Sequence, residues 1–179
     1  MTTFTAYSIE TAQPELKPIL QDIEKKFGFV PNLFTYMAEA PVVIEAYLAL
    51  NALIAKSSFT QQEAQVALLA VSVENQCGFC SVAHRAIGKA VGANQQTLDA
   101  LNNNTAIENI KDHALATFVR AVVKERGWVA DFVVDQFLAS GFTKQQVFEV
   151  MLIVAIKTLS NYSNHISQTQ PNPELLAML

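Results

Sequence analysis

Between Pro41 and Pro171 the chain has no proline, and its six prolines all lie toward the two ends. A proline inside a helix removes an N–H and clashes with the preceding turn, so its absence leaves that interval open to long helices. Glycine is also sparse, at six in 179 residues. No stretch shows sustained strand-like alternation of apolar and polar residues, and the fold class expected is all-α. Charge is scarce too: Asp, Glu, Lys and Arg make up 16% of the chain while apolar residues make up 51%, against roughly 25% charged in ordinary soluble domains. The longest apolar runs, near Ala67–Val71 and Val150–Ile156, fall far short of the ~18 residues of a membrane span. Surplus apolar surface is therefore expected at a subunit interface, which makes the chain a homo-oligomer.

Other partners are excluded on similar grounds. The net charge is −4 and the twelve Lys and Arg are scattered, so there is no basic patch for nucleic acid and no polybasic run for an anionic membrane. Residues Met1 to Tyr7 lack the charged and apolar regions of a secretory signal. Two cysteines are too few for a secreted disulfide scaffold of this size. The expectation is a cytoplasmic protein with one domain over residues 1–179.

Helix signals are frequent. Thr60-Gln-Gln-Glu63 and Thr143-Lys-Gln-Gln146 are capping boxes, each preceded by a phenylalanine, Phe59 and Phe142. Gly92, Gly127 and Gly141 sit where helices end. The expected helices are 13–26, 31–38, 41–56, 61–75, 78–91, 95–101, 107–126, 131–139 and 144–167. Sliding residues 59–84 onto 142–167 aligns the two capping boxes and places Cys77 and Cys80 on Ser160 and Ser163, the pattern of an internal duplication. Trp128 reads as a core or interface anchor, and Tyr36, Tyr47 and the phenylalanines as packing residues, some of them lining a pocket above the thiols. His113 is assigned no role.

What the chain does have is concentrated in Glu74-Asn-Gln-Cys77-Gly-Phe-Cys80-Ser-Val-Ala-His84, which holds both cysteines. At i and i+3 of a helix the two Cα atoms come to roughly 5 Å, a separation a disulfide can bridge. At about 100° per residue, a continuous helix would put Glu74, Cys77, Cys80 and His84 on one stripe. An acid, two thiols and an imidazole form a thiol redox site, and no metal or organic cofactor is called for. Cys-x-x-Cys plus His is also zinc chemistry, but no second Cys-x-x-Cys completes a tetrahedral site.

The run Leu68 to His84 resembles the core motif of the carboxymuconolactone decarboxylase/alkylhydroperoxidase D (AhpD-like) superfamily. Ala70-Val-Ser72, Asn75 two residues before Cys77, Cys77-Gly-Phe-Cys80 and Ala83-His84 carry the likeness. Pro31-Asn-Leu-Phe34 and Asn161-Tyr-Ser-Asn-His165 are similar to segments of its peroxidase-related members. The resemblance implies an all-helical fold and a thiol-dependent peroxidase or disulfide oxidoreductase. In that chemistry Cys80 attacks a hydroperoxide, Cys77 resolves it to a disulfide, and His84 relays protons. A thiol or dithiol reductant, small or carried by a protein, then recharges the pair. The family often carries a glutamate twelve residues before the first cysteine; here that position is Gln65, which cannot take a proton. Glu74, one turn before Cys77, is the expected substitute, orienting His84 or accepting a proton from Cys77. The position of His165 also admits a place facing the dithiol. The rival readings are a lactone decarboxylase of the same superfamily and a non-catalytic redox-sensing oligomer.

Overall fold

The computed structural model describes residues 3–179. Among the described residues ten helices follow in order: α1 (Lys17–Phe27), α2 (Asn32–Met37), α3 (Pro41–Ile54), α4 (Gln61–Glu74), α5 (Gly78–Ala90), α6 (Gln95–Asn103), α7 (Ile110–Lys124), α8 (Asp131–Ala139), α9 (Lys144–Ser167) and α10 (Pro173–Ala177). The all-α expectation is met, and among the described residues there is no strand. The short α10 has no counterpart among the expected helices. With Pro171 just before it and Pro173 at its first position it reads as loop, and Leu175 becomes helical by burying against the core.

Both capping boxes form. Thr60 Oγ1 accepts from Glu63 N at 3.1 Å and Glu63 Oε2 accepts from Thr60 N at 2.9 Å, so two otherwise unpaired amides of α4 are satisfied reciprocally. Thr143 and Gln146 repeat the exchange at the start of α9, at 3.2 and 2.9 Å. The phenylalanines before the boxes, Phe59 and Phe142, pack together with ring centroids 6.1 Å apart. They tie the starts of the two long helices to each other.

α4 is the central element. Ala67, Leu69, Ala70 and Val71 are wholly buried, and α4 packs against α5, α6, α7 and α9. One apolar cluster joins α4 to α7, α8 and α9; a second joins α1, α2 and α3 to α5 and α10, and it contains both cysteines. Tyr47 of α3 packs against both. Gly88 lets α5 close against α6: a Cβ there would come to 3.0 Å from the Leu98 side chain.

α4 and α5 are not one continuous helix. Gln76 takes a left-handed conformation, φ 57°, and Gln76 N and Cys77 N donate to Val73 O and Ser72 O, both at 2.9 Å. This paired pattern is a Schellman turn that ends α4 and satisfies its last carbonyls. Cys77 becomes the N-cap residue of α5. The expected stripe is therefore interrupted: Glu74 belongs to the end of α4, while Cys77, Cys80 and His84 belong to the start of α5. Trp128 is 90% exposed and is not a core residue.

Candidate active site

Because α5 begins at the first cysteine, Cys80 lies in its first turn. There the unpaired backbone amides and the positive end of the helix dipole favour an anion. Both thiols are free and nearly inaccessible, Cys77 at 1% and Cys80 at 2% exposure. Asn164 of α9 closes over them, its Nδ2 donating to Cys80 Sγ at 3.2 Å and lying 3.9 Å from Cys77 Sγ. Asn164 is held on the buried face of α9 beside Asn161, whose Oδ1 accepts from Asn75 Nδ2 at 3.0 Å.

His84 is buried one turn beyond Cys80, and its two ring nitrogens have separate partners. Nδ1 is 2.9 Å from Gln65 Oε1, and Nε2 is 2.8 Å from Lys157 Nζ. A carbonyl oxygen only accepts, so Nδ1 carries the proton; Nε2 then offers its lone pair to the Lys157 ammonium. Burial, reinforced by the neighbouring Lys157 charge, holds the His84 pKa well below the usual imidazole range. The imidazole is neutral, with one fixed tautomer. Lys157 itself is 1% exposed. Such deep burial of a lysine requires partners for its charge.

The two thiols differ in character. A hydrogen bond from the Cys77 thiol lowers the Cys80 pKa, and the charge and hydrogen bonding of Lys157 and the amide of Asn164 add to this against the opposing effect of burial. Cys77 is pushed the other way by its hydrogen bond to Cys80, by burial and by the Cys80 charge. The site is therefore arranged for a thiolate at Cys80 and a thiol at Cys77.

A cavity of about 690 Å³ opens beside this cluster. Cys80, His84, Gln65 and Lys157 form one part of its wall, and apolar side chains such as Phe34, Tyr47 and Phe79 form much of the rest. Cys77, which interacts with Cys80, is not part of that wall. Burial raises the Tyr47 phenol pKa, and the Cys80 charge raises it further.

The structure thus brings Cys77, Cys80 and His84 together, but not Glu74. Among the described residues no hydrogen bond joins Glu74 to the thiols or to His84. The side chain on Nδ1 is Gln65, at the position of the family glutamate, which the sequence alone gives only as helix surface or core. His165 is exposed and stacks near Tyr162, with ring centroids 6.2 Å apart; the neighbouring Asn164 faces the thiols instead. Sequence reasoning does not find Lys157, and it gives Asn164 only as part of the Asn161–His165 segment, with no role. The signal that could find them is the spacing of Val150, Ile153, Lys157, Ser160, Asn161 and Asn164 on the buried stripe of α9. Among the described residues no group of three or more His, Cys, Asp or Glu is arranged to hold a metal.

Residues 41–109, which span α3 to α6 and include the dithiol, match the carboxymuconolactone decarboxylase family. Among solved structures, the chain is similar to the alkylhydroperoxidase AhpD core, an uncharacterized peroxidase-related protein from Ralstonia eutropha JMP134. The two share 26% identity and a TM-score of 0.86, over 99% of this chain and 97% of that one. An uncharacterized peroxidase-related protein from Silicibacter sp. TM1040 is 19% identical with a TM-score of 0.81, over 98% and 97% of the two chains. The debrominase Bmp8, in complex with 2,3,4-tribromopyrrole, is also 19% identical, with a TM-score of 0.82 over 99% and 96%. At that identity the last two likenesses speak to the fold alone. No curated protein matches. The matched segment carries the two thiols and the imidazole, and the whole helical arrangement superposes on the AhpD core structure from end to end: the chain has the AhpD-like fold and carries a segment similar to the carboxymuconolactone decarboxylase family.

Proposed function

We propose that the protein is a thiol-dependent peroxidase acting on organic hydroperoxides. The observation that carries this reading is the placement of Cys80 on the cavity wall, with the neighbouring Cys77 off that wall. A substrate in the cavity meets the nucleophile first, and the second thiol reaches only the first. The Cys80 thiolate attacks the terminal oxygen of ROOH, the O–O bond breaks, and sulfur is oxidised to the sulfenic acid as the alkoxide departs. The Cys77 thiol then displaces the sulfenic oxygen as water, giving the disulfide. Two equivalents of a thiol, or one dithiol, restore the pair by exchange.

Size and burial narrow the substrate. A cavity of about 690 Å³ with largely apolar walls is in the range of sites for drug-sized molecules. That fits a bulky organic hydroperoxide better than hydrogen peroxide. At 1–2% exposure the thiols are out of reach of a disulfide on a protein surface, which favours a small oxidant over the disulfide oxidoreductase alternative. The lactone decarboxylase alternative has no use for a paired thiolate and thiol.

The same reading assigns the chain to the cytoplasm, where the dithiol is kept reducible. Among the described residues no helix is long and apolar enough to cross a membrane. It also makes the chain a homo-oligomer, with Val42 and Leu53 on α3 and Phe148, Tyr162 and Ile166 on α9 as exposed apolar residues available to a second copy.

The test is a stopped-flow comparison of wild type, Cys80→Ser and Cys77→Ser with cumene hydroperoxide. Cys80→Ser is expected to be inert, and Cys77→Ser to react once and stop at the sulfenic acid. Full turnover by Cys80→Ser would remove the assignment.

A further inference from the structure

The peroxide reading leaves one proton unassigned. When the O–O bond breaks, the departing alkoxide is a strong base inside an apolar cavity, and something in the wall has to protonate it. Gln65, on the same wall, is an amide and has no proton to give at neutral pH. We propose that Lys157 is the general acid of this site, its ammonium donating to the alkoxide that leaves as Cys80 is oxidised. The inference rests on the peroxidase reading and adds a catalytic residue to it.

Four observations converge on Lys157. Lys157 lines the cavity wall together with Cys80, and its charge is among those that lower the Cys80 pKa, so it borders the path along which oxygen leaves. Among the described residues one of its N–H bonds has a partner, His84 Nε2 at 2.8 Å; an ammonium carries two more that can turn toward sulfur or substrate. The remaining candidates are engaged or unsuited. His84 has no proton on Nε2, and its Nδ1 proton is held by Gln65 at 2.9 Å. The Cys77 proton is consumed in the water released when the disulfide closes. The Tyr47 phenol is a weaker acid than usual because it is buried beside Cys80. Asp22 and Lys26 also border the cavity, but from exposed positions on α1.

The fourth observation is charge. Lys157 is 1% exposed and hydrogen-bonded to the neutral His84; Gln65 and Asn164, which hold His84 and Cys80 in turn, carry no charge either. Oxidation removes the thiolate. If the lysine kept its proton, the disulfide form would bury a cation without a counter-charge, which is costly. Proton transfer to the alkoxide removes both charges together. The site passes from thiolate, thiol and ammonium to disulfide and amine, and ROOH leaves as ROH and water. The neutral amine can still donate to His84 Nε2. In the return step two reductant thiols become a disulfide; one of their protons returns to Lys157 and the other to Cys77.

Leaving-group dependence tests this. A peroxycarboxylic acid expels a carboxylate, a weak base that needs no acid catalyst, whereas an alkyl hydroperoxide expels an alkoxide that does. The ratio of the two single-turnover rates at one pH is independent of how much Cys80 is ionised. In Lys157→Met the peroxyacid/alkyl ratio is expected to rise by about 100-fold or more, the usual scale of general acid catalysis, and in Tyr47→Phe to stay at the wild-type value. An unchanged ratio in Lys157→Met would overturn the inference, as would a raised ratio in Tyr47→Phe. Because replacing a buried lysine can impair folding, the wild type is also run across a series of peroxides of graded leaving-group basicity. Its rate should depend less on that basicity than the rate of a free small-molecule thiolate does; equal dependence also overturns the assignment. A wild type inert toward every peroxide would instead remove the peroxidase reading, and this inference with it.

Discussion

Lys157 of α9 and His84 of α5 lie 73 residues apart in sequence and meet with Nζ and Nε2 at 2.8 Å, in a buried contact. The contact fixes the imidazole as a neutral acceptor and sets a cation beside the Cys80 thiolate. Removing it with Lys157→Met withdraws one of the groups that lower the Cys80 pKa, so a smaller share of Cys80 is thiolate at neutral pH. Alkylation by iodoacetamide at pH 7 should slow by about 10-fold, on the scale set by a free thiol with pKa ~8.5. The midpoint of its pH profile should move upward.

Gln65→Glu restores an acid at the position where the superfamily often has one. A carboxylate 2.9 Å from Nδ1 would stabilise the protonated ring, which Gln65 cannot do. The His84 pKa should therefore rise toward or above the usual imidazole range. A ring-proton NMR titration of the variant beside wild type measures the shift, and an unmoved His84 resonance would contradict the assigned Gln65 contact.

The fold is largely readable because it is written in local signals. The capping boxes at Thr60 and Thr143 and the terminal glycines need only neighbouring residues to act. The dithiol and His84 are legible for the same reason, being packed into a single short motif. What escapes is non-local. Lys157 looks like one solvated lysine in an apolar helix until the bundle closes, and only then does burial bring it to His84. Gln65 gives no chemical signal because its task is to accept one hydrogen bond from a ring 19 residues away. The break at Gln76 is hidden because the αL position of a Schellman turn is usually filled by glycine, and here a glutamine takes it at a cost of about 1 kcal/mol.

That break bears on Glu74. It ends α4 on the far side of the turn from Cys77, and among the described residues no hydrogen bond joins it to the dithiol or His84. Glu74→Gln should leave the rate of Cys80 alkylation at neutral pH within about twofold of wild type, the effect of a solvent-screened charge with no hydrogen bond to the thiols being small. A much larger slowing would return Glu74 to the relay.

The buried neutral His84 also makes stability depend on pH. In the unfolded chain its imidazole binds a proton below about pH 6.5, whereas in the folded protein its pKa is held well below that. The unfolded state then binds more protons, so stability falls as pH falls through this window, by up to about 1.4 kcal/mol per pH unit from this group. Urea unfolding between pH 7 and pH 5 should show a steeper loss for wild type than for His84→Gln. Parallel curves would mean that the ring is not kept neutral.

The most direct test of the whole account is to treat the reduced, folded protein with one equivalent of an organic hydroperoxide and map the cysteine peptides by mass spectrometry. The account predicts stoichiometric alcohol and a single product in which the sulfurs of residues 77 and 80 are joined, with the loss of two hydrogen atoms. Alcohol formation without that link, or thiols that stay reduced while the peroxide persists, would contradict it.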